Sequence, residues 1–429
     1  MIIRKFTKQT KYLRTVFTLV LTGIATGIVI GLFKEAIHFL SKHVMEILRK
    51  SSGNLLYSVL IVVAFILLGT FIYFISKKDP NINGSGIPVI YGMIDDKIEV
   101  NSPKTLINKF ITSTLTIGSG LTLGREGPSV QIAGLIGDIS HKLSESKENK
   151  RYFIGSSAGA GIAVAFNAPM AGLLFTIEEI FKKTNRKVFV FSTLTVFSAV
   201  VTADLCFGNR PALIDIPNFE VMDISMLGLI IILGIFAGLS GVLFNYVVIS
   251  SKKVFAKIKI HPYIKYLTPF VITALVLLLD IELFSSSEPF IFLPITGNKQ
   301  LAEIIILYFL KILLLACAFG VGVPGGSLVP LLVIGSLLGN IVATSFVMLG
   351  LLDASYILAF TMLAMCGHFS AIVRTPITAI ILILEMTGGA FNYLLGLAVV
   401  SLVAYSVAEV CKSKPFYDKL YGILLKNKS

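Results

Sequence analysis

Three short segments of this chain place glycine and proline directly before an apolar run. They are GSGIPVI at 84–90, GREGPSV at 124–130 and GVPGGSLVP at 322–330. Glycine lets the backbone turn closely and proline suits the first turn of a helix, so each segment predicts a helix start. The free N–H groups and the positive dipole end of such a helix attract anions. Several of these starts, if they converge, would form an anion site that binds weakly enough to release its ion.

The same breaks have a structural alternative, because Gly-Pro interruptions also serve helix packing in membrane proteins. A single segment would not decide between packing and anion binding. Three segments in one chain favour anion binding. The positions assigned to the helix starts are Gly84, Gly86, Pro88, Gly124, Arg125, Gly127, Pro128, Gly325, Gly326 and Pro330.

The second segment carries an ionisable pair, Arg125 and Glu126, among glycine and aliphatic residues. An ionised carboxylate at a helix start competes with a small anion for the same amides, and it withdraws when protonated. A salt bridge between the two side chains is the alternative, which we do not favour because neighbours at a helix start seldom face one another. Lys109 and Lys311 lie in apolar runs, where each either adds positive potential to an anion path or extends to the membrane surface.

The composition indicates a polytopic helical membrane protein. Of the 429 residues, 55% are hydrophobic and only 14% are charged. Uncharged runs at 16–33 and 55–75 are long enough to cross a bilayer as helices and exclude a β-barrel. The four cysteines and five histidines lack metal-ligand spacing, so we expect no metal site and no cofactor.

The distribution of basic residues predicts the orientation in the membrane. The first fourteen residues and the loop at 251–265 contain lysine or arginine and no acid, and the tail after 411 is rich in lysine. By the positive-inside rule these segments and both termini are cytoplasmic, and the acidic loop at 204–223 is external. The net charge of +13 then faces anionic lipid, and nothing resembles a nucleic-acid-binding stripe.

The chain contains an internal repeat. A shift of 202 positions aligns Gly118 with Gly320 and Pro128 with Pro330, together with other glycines, and predicts two related halves at about 80–205 and 285–410. A later block aligns at a shift of 207, where Glu178 and Glu385 each stand nine residues after a proline. We expect these two paired acids to be structural.

The repeat also shows which residues the two halves share and which occur in one half only. Arg125 and Glu126 align with Ser327 and Leu328, so the ionisable pair is confined to one half. Glu126 is therefore the asymmetric acid of the helix starts.

Together the motifs GSGIP, GREGPSVQ, NAPMAGLLFTIEE, GVPGGSLVP and KPFYDKL resemble the CLC family of chloride channels and chloride/proton antiporters. They follow the family's order and spacing over most of the chain. The resemblance implies an all-α inverted-repeat fold of about eighteen helices, many tilted or broken, and a homodimer with one pore per subunit in the plasma membrane. It also implies a single transmembrane domain over 1–429 without a cytoplasmic regulatory domain.

The resemblance implies roles for particular residues. Ser85 and Tyr417 would contact chloride with their hydroxyls, and the amides of Ser327 and Leu328 would complete the site. Glu126 would be the gating glutamate. Glu179 would transfer protons from the inner side to Glu126, unless it is a surface acid beside Lys182 and Lys183. The family often has a pair such as Ile-Phe in place of Ser327 and Leu328, so anion affinity or coupling could differ.

The resemblance predicts exchange of chloride for protons. A passive voltage- or proton-gated chloride channel on the same fold is the nearest alternative, and Glu179 argues against it. A fluoride/proton antiporter is a further alternative, but that branch usually departs from serine at Ser85 and from the IEE pattern. An intramembrane enzyme is disfavoured because no nucleophile motif or metal set is present and His368 stands alone.

Overall fold

The structure is a computed structural model that describes residues 2–51, 54–144, 149–208, 224–297 and 299–427. These residues form seventeen α-helices, and the predicted all-α fold is confirmed. Residues 209–223 of the predicted external loop lie outside the described residues, as do the last two residues of the lysine-rich tail.

The helices before residue 208 are α1 (Ile2–Ser51), α2 (Leu55–Lys78), α3 (Ile87–Ile94), α4 (Ser102–Gly118), α5 (Glu126–His141), α6 (Lys150–Phe166), α7 (Pro169–Phe175) and α8 (Arg186–Phe207). A π-helical turn, Thr176–Phe181, continues directly from α7. The later helices are α9 (Leu227–Lys257), α10 (Pro262–Leu279), α11 (Leu293–Thr296), α12 (Leu301–Val321), α13 (Leu328–Met348), α14 (Ile357–Val373), α15 (Pro376–Met386), α16 (Leu394–Val410) and α17 (Phe416–Lys426).

Nine helices within the described ranges are long and apolar enough to cross a bilayer. Large apolar side chains are exposed along their outer faces, among them Phe17, Phe71, Leu205 and Leu279. A water-soluble protein would not expose so many large apolar side chains, whereas a lipid environment accommodates them. The protein is a multi-pass membrane protein.

The most deeply buried helices form two packed pairs, α5 with α6 and α13 with α14. Glycine allows the helices of each pair to approach closely. A Cβ atom at Gly137 would collide with the carbonyl of Phe153, and one at Gly339 with the carbonyl of Phe360. These two contacts fall at equivalent positions of the predicted repeat, so the two pairs pack in the same way.

Candidate functional site

The three Gly-Pro segments begin helices at the places that the sequence predicts. GSGIPVI leads into α3 at Ile87, GREGPSV into α5 at Glu126, and GVPGGSLVP into α13 at Leu328. Pro88, Pro128 and Pro330 lie in the first turns, where a missing N–H costs no helical hydrogen bond. All three helix starts are buried.

Backbone hydrogen bonds join the three segments to one another. Gly124 and Gly326 exchange two bonds, with N···O distances of 2.8 and 2.6 Å. Gly84 donates to the carbonyl of Gly322 at 3.2 Å and accepts from the amide of Gly325 at 3.1 Å. The starts of α3, α5 and α13 therefore converge on one small region.

Two glycines show why larger residues are excluded from this region. Gly86 caps α3 with a φ of 87°, in the left-handed region that favours glycine. A Cβ atom at Gly127 would lie 2.9 Å from the carbonyl oxygen of Ser85 and 3.0 Å from the Cα of Gly326. The segments can touch only because these positions lack side chains.

Hydroxyl groups reach the same region from three elements. The Ser85 hydroxyl is buried and has no hydrogen-bond partner among the described residues. Tyr417, fully buried at the start of α17, has its hydroxyl 3.4 Å from that of Ser327, the N-cap of α13. Leu328 follows as the first residue of α13 and is buried. Hydroxyl and helix-start N–H donors gathered in this way suit a small anion without a fixed cationic partner.

Glu126 lies at the junction of α5 and α13 with no exposed surface. Its Oε2 accepts from the backbone amide of Val329 at 3.4 Å, in the first turn of α13. Its Oε1 lies 3.6 Å from Nε of Arg125, which is an ion-pair distance, and neither atom has a hydrogen-bond partner in the described ranges. The sequence argument that these neighbours would not face one another was therefore wrong. The amide that Glu126 reaches belongs to Val329, one residue beyond the predicted pair Ser327 and Leu328.

Lys109 and Lys311 are both buried and neither extends to the membrane surface. Nζ of Lys109 donates to the carbonyls of Ile82 and Gly84 at 2.7 and 2.6 Å. Nζ of Lys311 donates to the carbonyls of Leu283 and Ser285 at 3.0 and 2.8 Å. Each lysine thus ties down an irregular loop, and Lys109 holds the loop that carries Ser85.

Glu179 lies in the π-helical turn after α7 and is 2% exposed, which excludes the surface-acid alternative. Its Oε1 accepts a hydrogen bond from the hydroxyl of Tyr91 on α3. Lys182 lies over the ring of Tyr91 and forms an ion pair with Asp418 of α17. Sequence reasoning missed Tyr91, whose one available signal is a polar group in the otherwise apolar helix IPVIYGMI.

The two paired acids cap helices of opposite halves. Glu178 accepts from the amides of Ile377 and Thr378 at the start of α15, at 3.3 and 2.7 Å. Glu385 accepts from the amides of Met170 and Ala171 at the start of α7, at 2.9 and 2.7 Å. Both carboxylates satisfy N–H groups that lack an intrahelical partner, as N-cap side chains do.

Two separate cavities lead from the surface to these residues. Ser85 lines one, together with Lys252 and Lys253 from the end of α9. Glu179 lines the other, together with Lys182 and Asp418. The hydroxyl-bearing site and the buried acid are therefore approached by different routes.

The chain is similar to known proteins in both sequence and structure. The family described as Voltage gated chloride channel matches residues 65–409. The H(+)/Cl(-) exchange transporter ClcA of Vibrio vulnificus is 31% identical over 428 residues, covering 96% of this chain and 90% of that protein. ClcA of Vibrio cholerae is 33% identical over 429 residues with the same coverage. The crystal structure of a slow cyanobacterial Cl-/H+ antiporter matches with a TM-score of 0.90 and 26% identity, over 96% of this chain and 98% of that one.

Proposed function

The chain belongs to the voltage-gated chloride channel family, and we propose from this premise that it exchanges chloride for protons across the membrane. One contact carries the mechanism that we infer: the buried carboxylate of Glu126 against the Val329 amide in the first turn of α13. In this position a carboxylate and a chloride ion compete for the same positive helix end.

Chloride enters through the cavity lined by Lys252, Lys253 and Ser85. The two lysines supply positive potential at the entrance, which raises the local concentration of anions. The hydroxyls of Ser85 and Tyr417 then bind the ion beside the amides of Ser327 and Leu328. These are neutral donors, so the ion is held without the strong attraction of a fixed cation and can leave again.

Glu126 acts as the gate of this path. When ionised, it takes the place of an anion at the α13 amides; when protonated, it loses its attraction to them and lets chloride pass. The contact with Val329 is long for a hydrogen bond, at 3.4 Å, so it resists exchange only weakly. The guanidinium of Arg125 stabilises the ionised carboxylate of Glu126 beside α13. No hydrogen bond among the described residues joins these two side chains, so the carboxylate is free to move.

Protons use the other cavity. Asp418 and Lys182 line its wall, and Glu179 is the buried acid at its inner end. Tyr91 orients the Glu179 carboxylate through its hydroxyl. Protons then move between Glu179 and Glu126. Because one carboxylate alternates between the anion path and the proton path, the two fluxes depend on each other.

Proton uptake into reconstituted vesicles tests the exchange. A chloride gradient imposed on vesicles containing the protein should drive protons uphill, against their own gradient. A passive channel would move chloride without uphill proton movement, and that result would overturn the proposal. Measuring fluoride efflux beside chloride efflux in the same vesicles separates the fluoride alternative, because that alternative requires the faster flux to be fluoride.

We assign the protein to the plasma membrane with both termini and the loop at 251–265 on the cytoplasmic side, by the excess of lysine and arginine there. We also propose a homodimer with one pore in each subunit, as the family resemblance implies. The related halves at about 80–205 and 285–410 form a single transmembrane domain in this proposal. The matched glycine contacts and the reciprocal caps at Glu178 and Glu385 support the repeat.

A further inference from the structure

A second basic cavity lies beside the entrance of the chloride path. It is bounded by the end of α2, the end of α9 and the start of α10, with the end of α12 behind. Lys77, Lys252 and Lys265 contribute its charges, and Tyr73 and Tyr266 contribute aromatic walls. We call it the lysine pocket. In the part of the chain that the structure describes, no aspartate or glutamate lines it.

The positive charge of the lysine pocket is largely uncompensated. Within the described residues, Nζ of Lys77 and Nζ of Lys252 form no ion pair, and Lys265 bonds only the carbonyl of Phe255, at 3.1 Å. The nearest acid along the chain, Asp79, accepts instead from Thr105 and Asn108. A cavity with several lysine donors and no acid suits a phosphate group.

The surroundings of the lysine pocket favour a lipid as the source of the phosphate. The helices that bound it expose apolar side chains on the same stretches, including Phe74 on α2, Val254 on α9 and Ile264 on α10. Acyl chains could lie along these side chains while the headgroup reaches the lysines. The loop between α9 and α10 is also the basic loop that faces anionic lipid in the predicted orientation.

The lysine pocket shares a wall with the chloride entrance. Pro80, Asn83, Lys252, Ala256, Gly320 and Val321 line both cavities, and Lys252 is the charged residue among them. Lys77 and Lys265 line only the lysine pocket. A group bound to the lysine pocket would therefore compete for the same ammonium group that attracts chloride.

We propose that the lysine pocket binds the phosphate of an anionic membrane phospholipid, and that the bound phosphate slows chloride entry by occupying Lys252. The binding itself is independent of the transport cycle. The effect on chloride entry rests on the proposed function. Each lysine near a phosphate contributes enough to change lipid affinity about five-fold.

Lipid binding is tested first, with a matched pair of variants. Lys77→Gln removes one charge from the lysine pocket, and Lys78→Gln removes the same charge one residue away, where the exposed side chain does not line it. Native mass spectrometry of each purified protein titrated with phosphatidylglycerol should show about five-fold weaker binding for Lys77→Gln than for Lys78→Gln. Equal binding by the two variants would overturn the site, whether or not the protein transports chloride.

Regulation is tested by chloride efflux from phosphatidylcholine vesicles with and without phosphatidylglycerol. The negative surface potential of the lipid acts equally on wild type and both variants. The lysine pocket adds a further slowing of about two- to five-fold in wild type and Lys78→Gln, and this slowing is weaker in Lys77→Gln because its lipid affinity is lower. Equal slowing in all three proteins would refute the regulatory effect.

Inorganic phosphate added to pure phosphatidylcholine vesicles separates a lipid from a soluble ligand. We expect no Lys77-dependent slowing in that arm. If inorganic phosphate alone reproduces the slowing of chloride efflux, the lysine pocket binds a soluble anion and the assignment to a lipid is wrong. Absence of chloride flux in every vesicle would instead count against the proposed function, and the binding titration would still test the pocket.

Discussion

Two pairs of acids, one partly buried and one fully buried, have different contacts in this molecule. Glu178 and Glu385 occupy matching positions of the two halves, and each accepts two backbone N–H bonds at the start of a helix in the other half. Glu126 and Glu179 have no acidic counterpart, since they align with Leu328 and Met386. A carboxylate with both oxygens bonded is a fixed cap, whereas one with a single long or neutral contact can change partner.

The difference is also one of position. The paired acids join α7 and α15, because each caps the start of one of these helices. Glu126 lies against the start of α13, and Glu179 lies buried at the wall of a cavity that Glu178 also lines. The two acids without an acidic counterpart, Glu126 and Glu179, both lie in the first of the two predicted halves.

The largest expected effect comes from Glu126→Gln. The amide keeps the shape of the side chain but cannot ionise, so chloride-driven proton uptake should be abolished while chloride flux persists. Both fluxes are measured in the same reconstituted vesicles. Persistent coupled proton uptake in this variant would show that Glu126 does not carry protons. It would also contradict the distinction between Glu126 and the paired acids.

Glu179→Gln should also abolish proton transport. Among the described residues it removes the one buried acid that lines the cavity of Lys182 and Asp418, and it leaves the Ser85 route untouched. Chloride efflux should stay close to that of wild type. Glu178→Gln is the matched control, since it makes the same change at the adjacent acid. If Glu178→Gln lost coupling and Glu179→Gln kept it, the assignment of the two acids would be reversed.

Tyr91→Phe should give a smaller effect, restricted to protons. It removes the hydroxyl that orients Glu179 and keeps the ring under Lys182. A hydrogen bond to a charged group contributes roughly 1.5–3 kcal/mol, so we expect proton flux to fall about ten-fold with little change in chloride flux. A parallel loss of both fluxes would indicate a structural role instead.

Glu385→Ala should lower stability without altering the ratio of proton to chloride flux. It leaves the amides of Met170 and Ala171 without their cap, at a cost of about 1–2 kcal/mol. Thermal unfolding in detergent measures the loss, and vesicle assays on the folded protein measure the ratio. A changed ratio with unchanged stability would contradict the division into fixed and exchangeable acids.

Much of the frame could be predicted from the sequence. The three helix starts follow from local backbone chemistry, because glycine and proline determine where a chain can turn and where a helix can begin. Alignment of the two halves of the chain also showed that Glu126 has no acidic counterpart, because it aligns with Leu328. The helical fold followed from the resemblance and from the apolar runs.

Several contacts of the site could not be predicted in this way. The bond from Glu126 to Val329 joins residues about two hundred positions apart, so no local pattern in the sequence could indicate it. Tyr91 lacks a motif and gains its partner only because α3 packs near the π-helical turn. The sequence alone allowed Lys109 and Lys311 to extend to the membrane surface. The structure shows that they stay buried because nearby loops provide carbonyl acceptors for their ammonium groups.

The segment LTLGREGPSV, at 121–130, shows which features the sequence determines and which depend on the tertiary structure. The sequence by itself determined a helix start with a carboxylate at its first residue, because glycine, proline and an ionisable side chain act locally. Only the tertiary structure decided what that carboxylate meets: the amide of Val329 on one side and the guanidinium of Arg125 on the other. Those partners depend on how closely the glycines let α5 and α13 approach, which is a property of packing between distant segments.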